Sequence, residues 1–382
     1  MVIRKFVGLE DELHETAACK TGFDDFGDIV YREGLRVLLH SIDIDLQLTE
    51  PGWQRMYDSV LWMLIARLWA QRGWTDHPEV LRVPIRRPLV ITGFPRTGTT
   101  ALHKLLSVDP QFQGLNHWLM GTPMIRPPKE AWDTHPAFRT SAASLEAEYA
   151  AIPDLRKAHN IAAREVDECG WILMQSFVTI IFNNVLPTYG RWVVAQSRRR
   201  SYQRYVDVLR LIGAHEPDKR WLLKDPKHLF EIEALFQVFP DACIVHTHRD
   251  PLASIPSFCN LSYMVQQQLE GEAASTDIGP RECTFWRKAL DHAAAAREKF
   301  PQSFFDVDHR RFVADPIGVV RSIYDNFGFT LSPETEQQMH AWIAAIPASR
   351  HSEHRYAIDR WGITSAQICD VFADYRKDHQ FI

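Results

Sequence analysis

The segment "PLVITGFPRTGTTALHKLLSV" (Pro88–Val108) constrains the chain more than any other. Pro88–Gly93 is a short β-branched run, and "TTALHKLLSV" repeats its apolar positions at helical spacing, so the segment reads as strand, glycine loop, helix. Gly93 and Gly98 bracket four residues, as in a loop whose backbone N–H groups converge on a phosphate at a helix N-terminus. Thr99 stands where such a loop carries the lysine that reaches the outer phosphates of a nucleoside triphosphate. Arg96 supplies a fixed positive charge within the loop instead. The pattern predicts a ligand with a single 5′-phosphate and something other than a triphosphate tail. A glycine turn without a ligand is the alternative.

Similar units follow downstream. "RWLLKDPKHLFEIEALFQVF" predicts a strand at Trp221–Leu223, a Lys-Asp-Pro turn and a helix from about His228 to Phe239. "ACIVHTH" then reads as a strand, "RDP" as a turn, and a helix begins near Leu252; "SFFDVDH" (Ser303–His309) precedes a helix ending at Gly328. Strands alternating with helices predict an α/β fold, a P-loop-like parallel sheet flanked by helices on both faces. Ligands of such sheets bind at the carboxyl ends of the strands. Apolar spacing of three and four between Glu10 and Arg72 predicts a helical N-terminal region. The expected organisation is one domain, 1–382: a helical region 1–86, an α/β core 87–330 with a mainly helical acceptor-side insertion at about 118–215, and a helical segment 331–382. The polar stretch Gln266–Glu282 reads as a surface loop or a lid.

Composition removes several function classes. A net charge of −5 and a pI near 6.4 speak against nucleic-acid binding, which needs a basic footprint. The six cysteines form no CxxC pair and no His/Cys cluster at zinc spacing, so neither a disulfide framework nor a metal is expected. The N-terminus breaks its apolar residues with acids before a signal-peptide core forms. The most apolar stretch, Val60–Ala70, contains Arg67 and falls short of the ~20 residues that a bilayer requires. It is expected to be a buried or substrate-lining helix in a soluble, cytoplasmic chain.

"HTHRDPLASIPSF" places Arg249 at a strand end and Ser257 eight residues later, inside the next helix. A guanidinium fork and a hydroxyl there suit a second phosphate, although an ion pair with Asp250 is equally open for Arg249. Taken in order, "GFPRTGTT", "LLKDPKHLFEIEALFQVFPDACIVHTHR" and "RDPLASIPS" resemble the sulfotransferases that use 3′-phosphoadenosine 5′-phosphosulfate, in the bacterial branch related to the tyrosylprotein type. The resemblance spans about Pro88–Gly328, with a looser match at "HRYAIDRWGIT". It implies that Arg96, Thr97, Gly98, Thr99 and Thr100 bind the 5′-phosphosulfate, that Arg249 and Ser257 bind the 3′-phosphate, and that Lys224 stabilises charge on the sulfonyl oxygens. It further implies that Arg355, beside His354, assists phosphate binding, that 3′,5′-adenosine bisphosphate is the product, and that no metal takes part. The acceptor would be a small molecule with a hydroxyl or amine. Small members of the family often form homodimers, but no interface is legible in this sequence.

The general base is the open point. Members of the family often carry a glutamate about twenty residues past the loop, yet "DPQFQGLNHWLMGTP" has no carboxylate between Gly114 and Pro123. His117 is the candidate there, since histidine titrates near neutrality. Its rivals are His159 and the acid pair Glu165 and Glu168, three apart and expected on one helix face. His103 is expected to pack against the sheet. Trp118, Trp171, Phe177, Phe182 and Trp192, in or near the insertion, read mostly as ordinary core, while a pocket with such aromatic walls would favour a lipid, sterol, polyketide or phenolic acceptor. The basic run Ser197–Arg204 reads as a solvated helix face, or one that meets an acidic acceptor or a membrane surface. Two other readings stay open: a nucleotide or small-molecule kinase with a divergent loop, and a noncatalytic nucleotide-binding protein.

Overall fold

The computed structural model describes residues 4–158, 160–180, 185–272, 275–346 and 358–381. The chain forms two compact units, one from Met1–Pro84, Leu115–Pro217 and Met264–Ala273, the other from Ile85–Gly114, Asp218–Tyr263 and Ala274–Ile382.

The first unit is helical, led by Glu10–Thr21, Tyr31–Asp45 and Glu50–Asp76 as the apolar spacing predicts. The longest, Glu50–Asp76, starts where the Thr49 hydroxyl accepts the Gly52 N–H at 3.1 Å, with Pro51 in its first turn. Val60, Met63, Leu64, Ala66 and Leu68 are fully buried along it. Arg67, also buried, donates to the carbonyls of Phe26, Asp28 and Gln175 at 2.7, 2.8 and 3.1 Å and lies 3.9 Å over the Tyr31 ring. Burial pushes its guanidinium down to about 10, still protonated at neutral pH. Among the described residues no helix is long and apolar enough to cross a membrane.

The basic run only partly keeps to solvent. Arg199 and Arg200 are exposed, but Arg204, a turn later on helix Arg199–Ile212, lies over the Trp74 ring and donates to the Arg67 carbonyl at 3.1 Å. Trp118 and Phe177 are buried in the core, as ordinary packing residues would be, Trp118 against Trp132, His135 and Phe138. Phe182 lies outside the described residues.

The second unit holds a parallel sheet of β1 (Leu89–Gly93), β2 (Phe112–Gly114), β3 (Arg220–Lys224), β4 (Cys243–His248) and β5 (Phe304–Asp308) in the order β2-β3-β1-β4-β5. β1 and β4 are buried along their whole length, as central parallel strands covered on both faces must be. Leu89 and Ile91 face a core with Leu102 and Leu105 of helix Thr99–Leu106 and with Val320, Ile323 and Phe327 of helix Pro316–Phe327. Alternation turns Val90 and Leu223, both fully buried, to the opposite face. The polar stretch Gln266–Glu282 is mostly helical, because one helix runs through Glu270 and the next begins at Ile278. The helix expected from His228 to Phe239 is two pieces, a 3-10 turn Pro226–Phe230 and helix Ile232–Val238.

Candidate active site

β1 lies between β3 and β4, so the loops leaving these three strands open at one end of the sheet, where α/β folds bind ligands. At the end of β1, Gly93 adopts φ +154, and a Cβ there would stand 2.2 Å from Thr247 Oγ1. Thr97 Oγ1 donates to the Phe94 carbonyl and meets Thr247 Oγ1, both at 2.6 Å, which pins the loop to β4. Gly98 (φ +90) caps helix Thr99–Leu106, leaving the amides of its first turn at the loop.

Arg96 is the unusual residue. Its φ of +66 is left-handed, a conformation that costs an L-residue without β-turn help of order 1 kcal/mol or more. Its carbonyl accepts Arg249 Nη1 at 3.0 Å, and its own Nε donates to Ser257 Oγ at 3.1 Å. Thus the residue assigned to the 5′ group and the two assigned to the 3′-phosphate form one clasp. Lys224 ends β3 fully buried, with Nζ 3.3 Å from Thr100 Oγ1. The turn after it is fixed by Thr92 Oγ1 donating to the Asp225 carbonyl at 2.9 Å and by Asp225 Oδ1 accepting Lys227 N–H at 2.8 Å. His103 is buried with Nε2 3.4 Å from the Leu222 carbonyl, packed against the sheet as expected.

His309, just past β5, was not foreseen. A Cβ on Gly98 would lie 3.2 Å from its ring, and burial followed by the charge of Arg249 pushes its imidazole down to about 4. It is therefore neutral at physiological pH. The available signal was its position directly after the "FFDVD" strand.

In the first unit His117 opens a short 3-10 turn, His117–Leu119, and its Nδ1 is 2.8 Å from Asp167 Oδ2. The His117 side chain is 22% exposed and that of Asp167 1%, so the imidazole reaches solvent while the carboxylate does not. A carboxylate only accepts, so Nδ1 is the donor, and the neutral tautomer with that proton holds its lone pair on Nε2. That is the arrangement of a histidine base oriented by a third group.

The expected helix face of Glu165 and Glu168 does not form. Backbone groups of 163–167 pair instead with 115–118: Trp118 N–H to Ala163 O, His117 N–H to Glu165 O and Asp167 N–H to Leu115 O, at 3.1, 3.0 and 2.9 Å. Glu165 Oε2 accepts the Ala162 N–H at 2.9 Å, and Glu168 donates its N–H to Asp167 Oδ1 at 2.7 Å. The carboxylate on His117 is thus Asp167, which the sequence reading passed over. His159, His354 and Arg355 lie outside the described residues.

A parallel sheet with a strand–glycine loop–helix unit defines a P-loop-like α/β protein. A family model of the sulfotransferases matches residues 88–333, and the chain belongs to that family. It is 37% identical to sulfotransferase STF1 from Mycobacterium tuberculosis H37Rv, with a TM-score of 0.89 over 97% of this chain and 100% of that one. It is 31% identical to sulfotransferase STF9 from Mycobacterium avium, with a TM-score of 0.85 over 97% of this chain and 96% of that one. Among curated proteins, the omega-hydroxy-beta-dihydromenaquinone-9 sulfotransferases Stf3 of Mycobacterium bovis and Mycobacterium tuberculosis are 27% identical over 258 residues. That match covers 63% of this chain and 62% of the length of each relative.

Proposed function

We propose that the protein transfers a sulfuryl group from 3′-phosphoadenosine 5′-phosphosulfate to a hydroxyl of a lipophilic small molecule. The observation that carries this reading is the clasp of Arg96, Ser257 and Arg249 beside the buried Lys224, in a loop that has Thr99 where a triphosphate-binding loop has lysine. Thr97, Gly98, Thr99 and Thr100 offer amides and hydroxyls to the 5′-phosphosulfate, and Arg249 with Ser257 takes the 3′-phosphate. The acceptor oxygen forms a bond to sulfur as the bridging sulfur–oxygen bond to the 5′-phosphate breaks. Charge then builds on the sulfonyl oxygens and the leaving phosphate, where Lys224 and Arg96 stabilise it.

His117 Nε2 takes the acceptor proton, and Asp167 holds the ring and stabilises the imidazolium that results. Glu168, whose backbone already serves Asp167, and His159 are the rival bases. The hydroxylated menaquinone named for the mycobacterial relatives supports a lipophilic alcohol as acceptor class. Six free thiols support a reducing, cytoplasmic compartment.

The test is calorimetric titration with 3′,5′-adenosine bisphosphate and, separately, with magnesium ATP. Micromolar binding of the bisphosphate that collapses in Arg249→Ala supports the proposal. Preference for magnesium ATP would return the loop to the kinases.

A further inference from the structure

β4 carries His246 and His248, and residues two apart on a strand share a face. His246 is the register partner of Asp306 on β5, so parallel pairing gathers two imidazoles and a carboxylate from distant parts of the sequence. One ligand atom from each lies within 4.8 Å of the others. His248 Nε2 stands 2.9 Å from Asp306 Oδ1, a hydrogen bond that an ion would replace, the two atoms parting by roughly half an ångström to sit on tetrahedral zinc at bonds of about 2.0–2.2 Å. The two imidazole rings are 4.1 Å apart.

His246 is only 6% exposed, and its Nε2 has no hydrogen-bond partner among the described residues. Buried polar atoms are nearly always satisfied, so an orphaned ring nitrogen beside a second imidazole and a carboxylate asks for a ligand.

We propose that His246, His248 and Asp306 form a site for a divalent transition metal, with zinc the ion whose ligand preferences the set fits and solvent completing the coordination. Outer groups are in place to hold the ligands. His248 Nδ1 lies 3.0 Å from the Tyr375 hydroxyl, which orients the ring with Nε2 toward the ion. Arg297 bonds Asp306 Oδ1 at 2.8 Å and Oδ2 at 2.5 Å. The ion displaces it from Oδ1, and the guanidinium remains on Oδ2. The Asp306 side chain is 42% exposed, whereas both histidines are buried, so the ion enters from the carboxylate side. Because His248 immediately precedes Arg249, the metal would brace the strand end that presents this arginine.

The experiment uses the full chain, stripped with a chelator and titrated calorimetrically with zinc chloride. We expect one equivalent to bind, and His246→Gln and Asp306→Asn each to weaken binding by at least ~10-fold. The proposal is overturned if the wild-type chain binds no stoichiometric zinc, or if both variants bind as it does while keeping its melting temperature. Should a variant fail to fold, imidazole nitrogen resonances of the wild-type chain decide. Two histidines must shift together at one equivalent, and a spectrum without such a pair refutes the site.

Discussion

Asp167→Asn tests the base in a way that the hydrogen bonds around it make specific. Asp167 Oδ1 accepts the Glu168 N–H at 2.7 Å, and Oδ2 faces His117 Nδ1 at 2.8 Å. An asparagine must keep its oxygen on the Glu168 N–H, because an N–H cannot accept. Its NH2 group is then turned toward His117 Nδ1, which must give up its proton and become the acceptor. The ring proton moves to Nε2, the atom that would receive the acceptor's proton. Returning to the productive tautomer sets two donors against each other and forfeits a charge-assisted hydrogen bond worth roughly 1.5–3 kcal/mol. At about 1.4 kcal/mol per factor of ten, kcat should fall roughly 10–100-fold. The general-base contribution, typically about 10²–10⁴, sets the ceiling. The assay is steady-state turnover on a hydroxylated lipophilic acceptor, with calorimetry of 3′,5′-adenosine bisphosphate alongside. Donor affinity should stay unchanged, and Asp167→Asn in a His117→Gln background should cost almost nothing further. A single variant within threefold of wild-type kcat, or a double variant showing additive losses, would refute the dyad.

Lys224→Met should lower kcat by about 10²-fold with bisphosphate affinity reduced far less, as steady-state kinetics and calorimetry would report, because its charge is wanted when the sulfonyl oxygens become more negative. Arg249→Ala should weaken bisphosphate binding by roughly 10–100-fold and Ser257→Ala by less, with the salt dependence of affinity reduced only in the arginine variant. Burial pushes His228 down to about 3 and, with the charge of Arg249, His309 down to about 4, so the folded chain binds fewer protons than the unfolded chain between those values and the ordinary histidine range. Stability in urea should therefore fall as pH drops from about 6.5 to 4, and His228→Gln should flatten that slope; a pH-independent midpoint would sink this reading.

Much of the sheet was legible because its signals are local. β1, β3 and β4 each announce themselves as an apolar run ended by Gly, Asp-Pro or Arg-Asp-Pro, β5 as a short run before a helix, and the loop residues are contiguous. β2 escaped because "FQG" is too short to show alternation. Glu165 and Glu168 misled through their spacing of three, since backbone pairing with 115–118 overrides local helical preference. Asp167 lies 50 residues from His117 and Asp306 58 residues from His248, separations at which only the folded register reveals a partner.

The way the chain is divided between its units has a bearing on how such proteins diversify. Each unit is assembled from three separate stretches, so the polypeptide passes from one to the other five times, after Pro84, Gly114, Pro217, Tyr263 and Ala273. No single cut yields either unit intact. Neither can be expressed as a contiguous fragment or exchanged between relatives by one recombination. If residues such as 115–217 bind the acceptor, as proposed, new acceptor preferences would arise there by point substitution and loop-length change, with the rest of the chain inherited along with them.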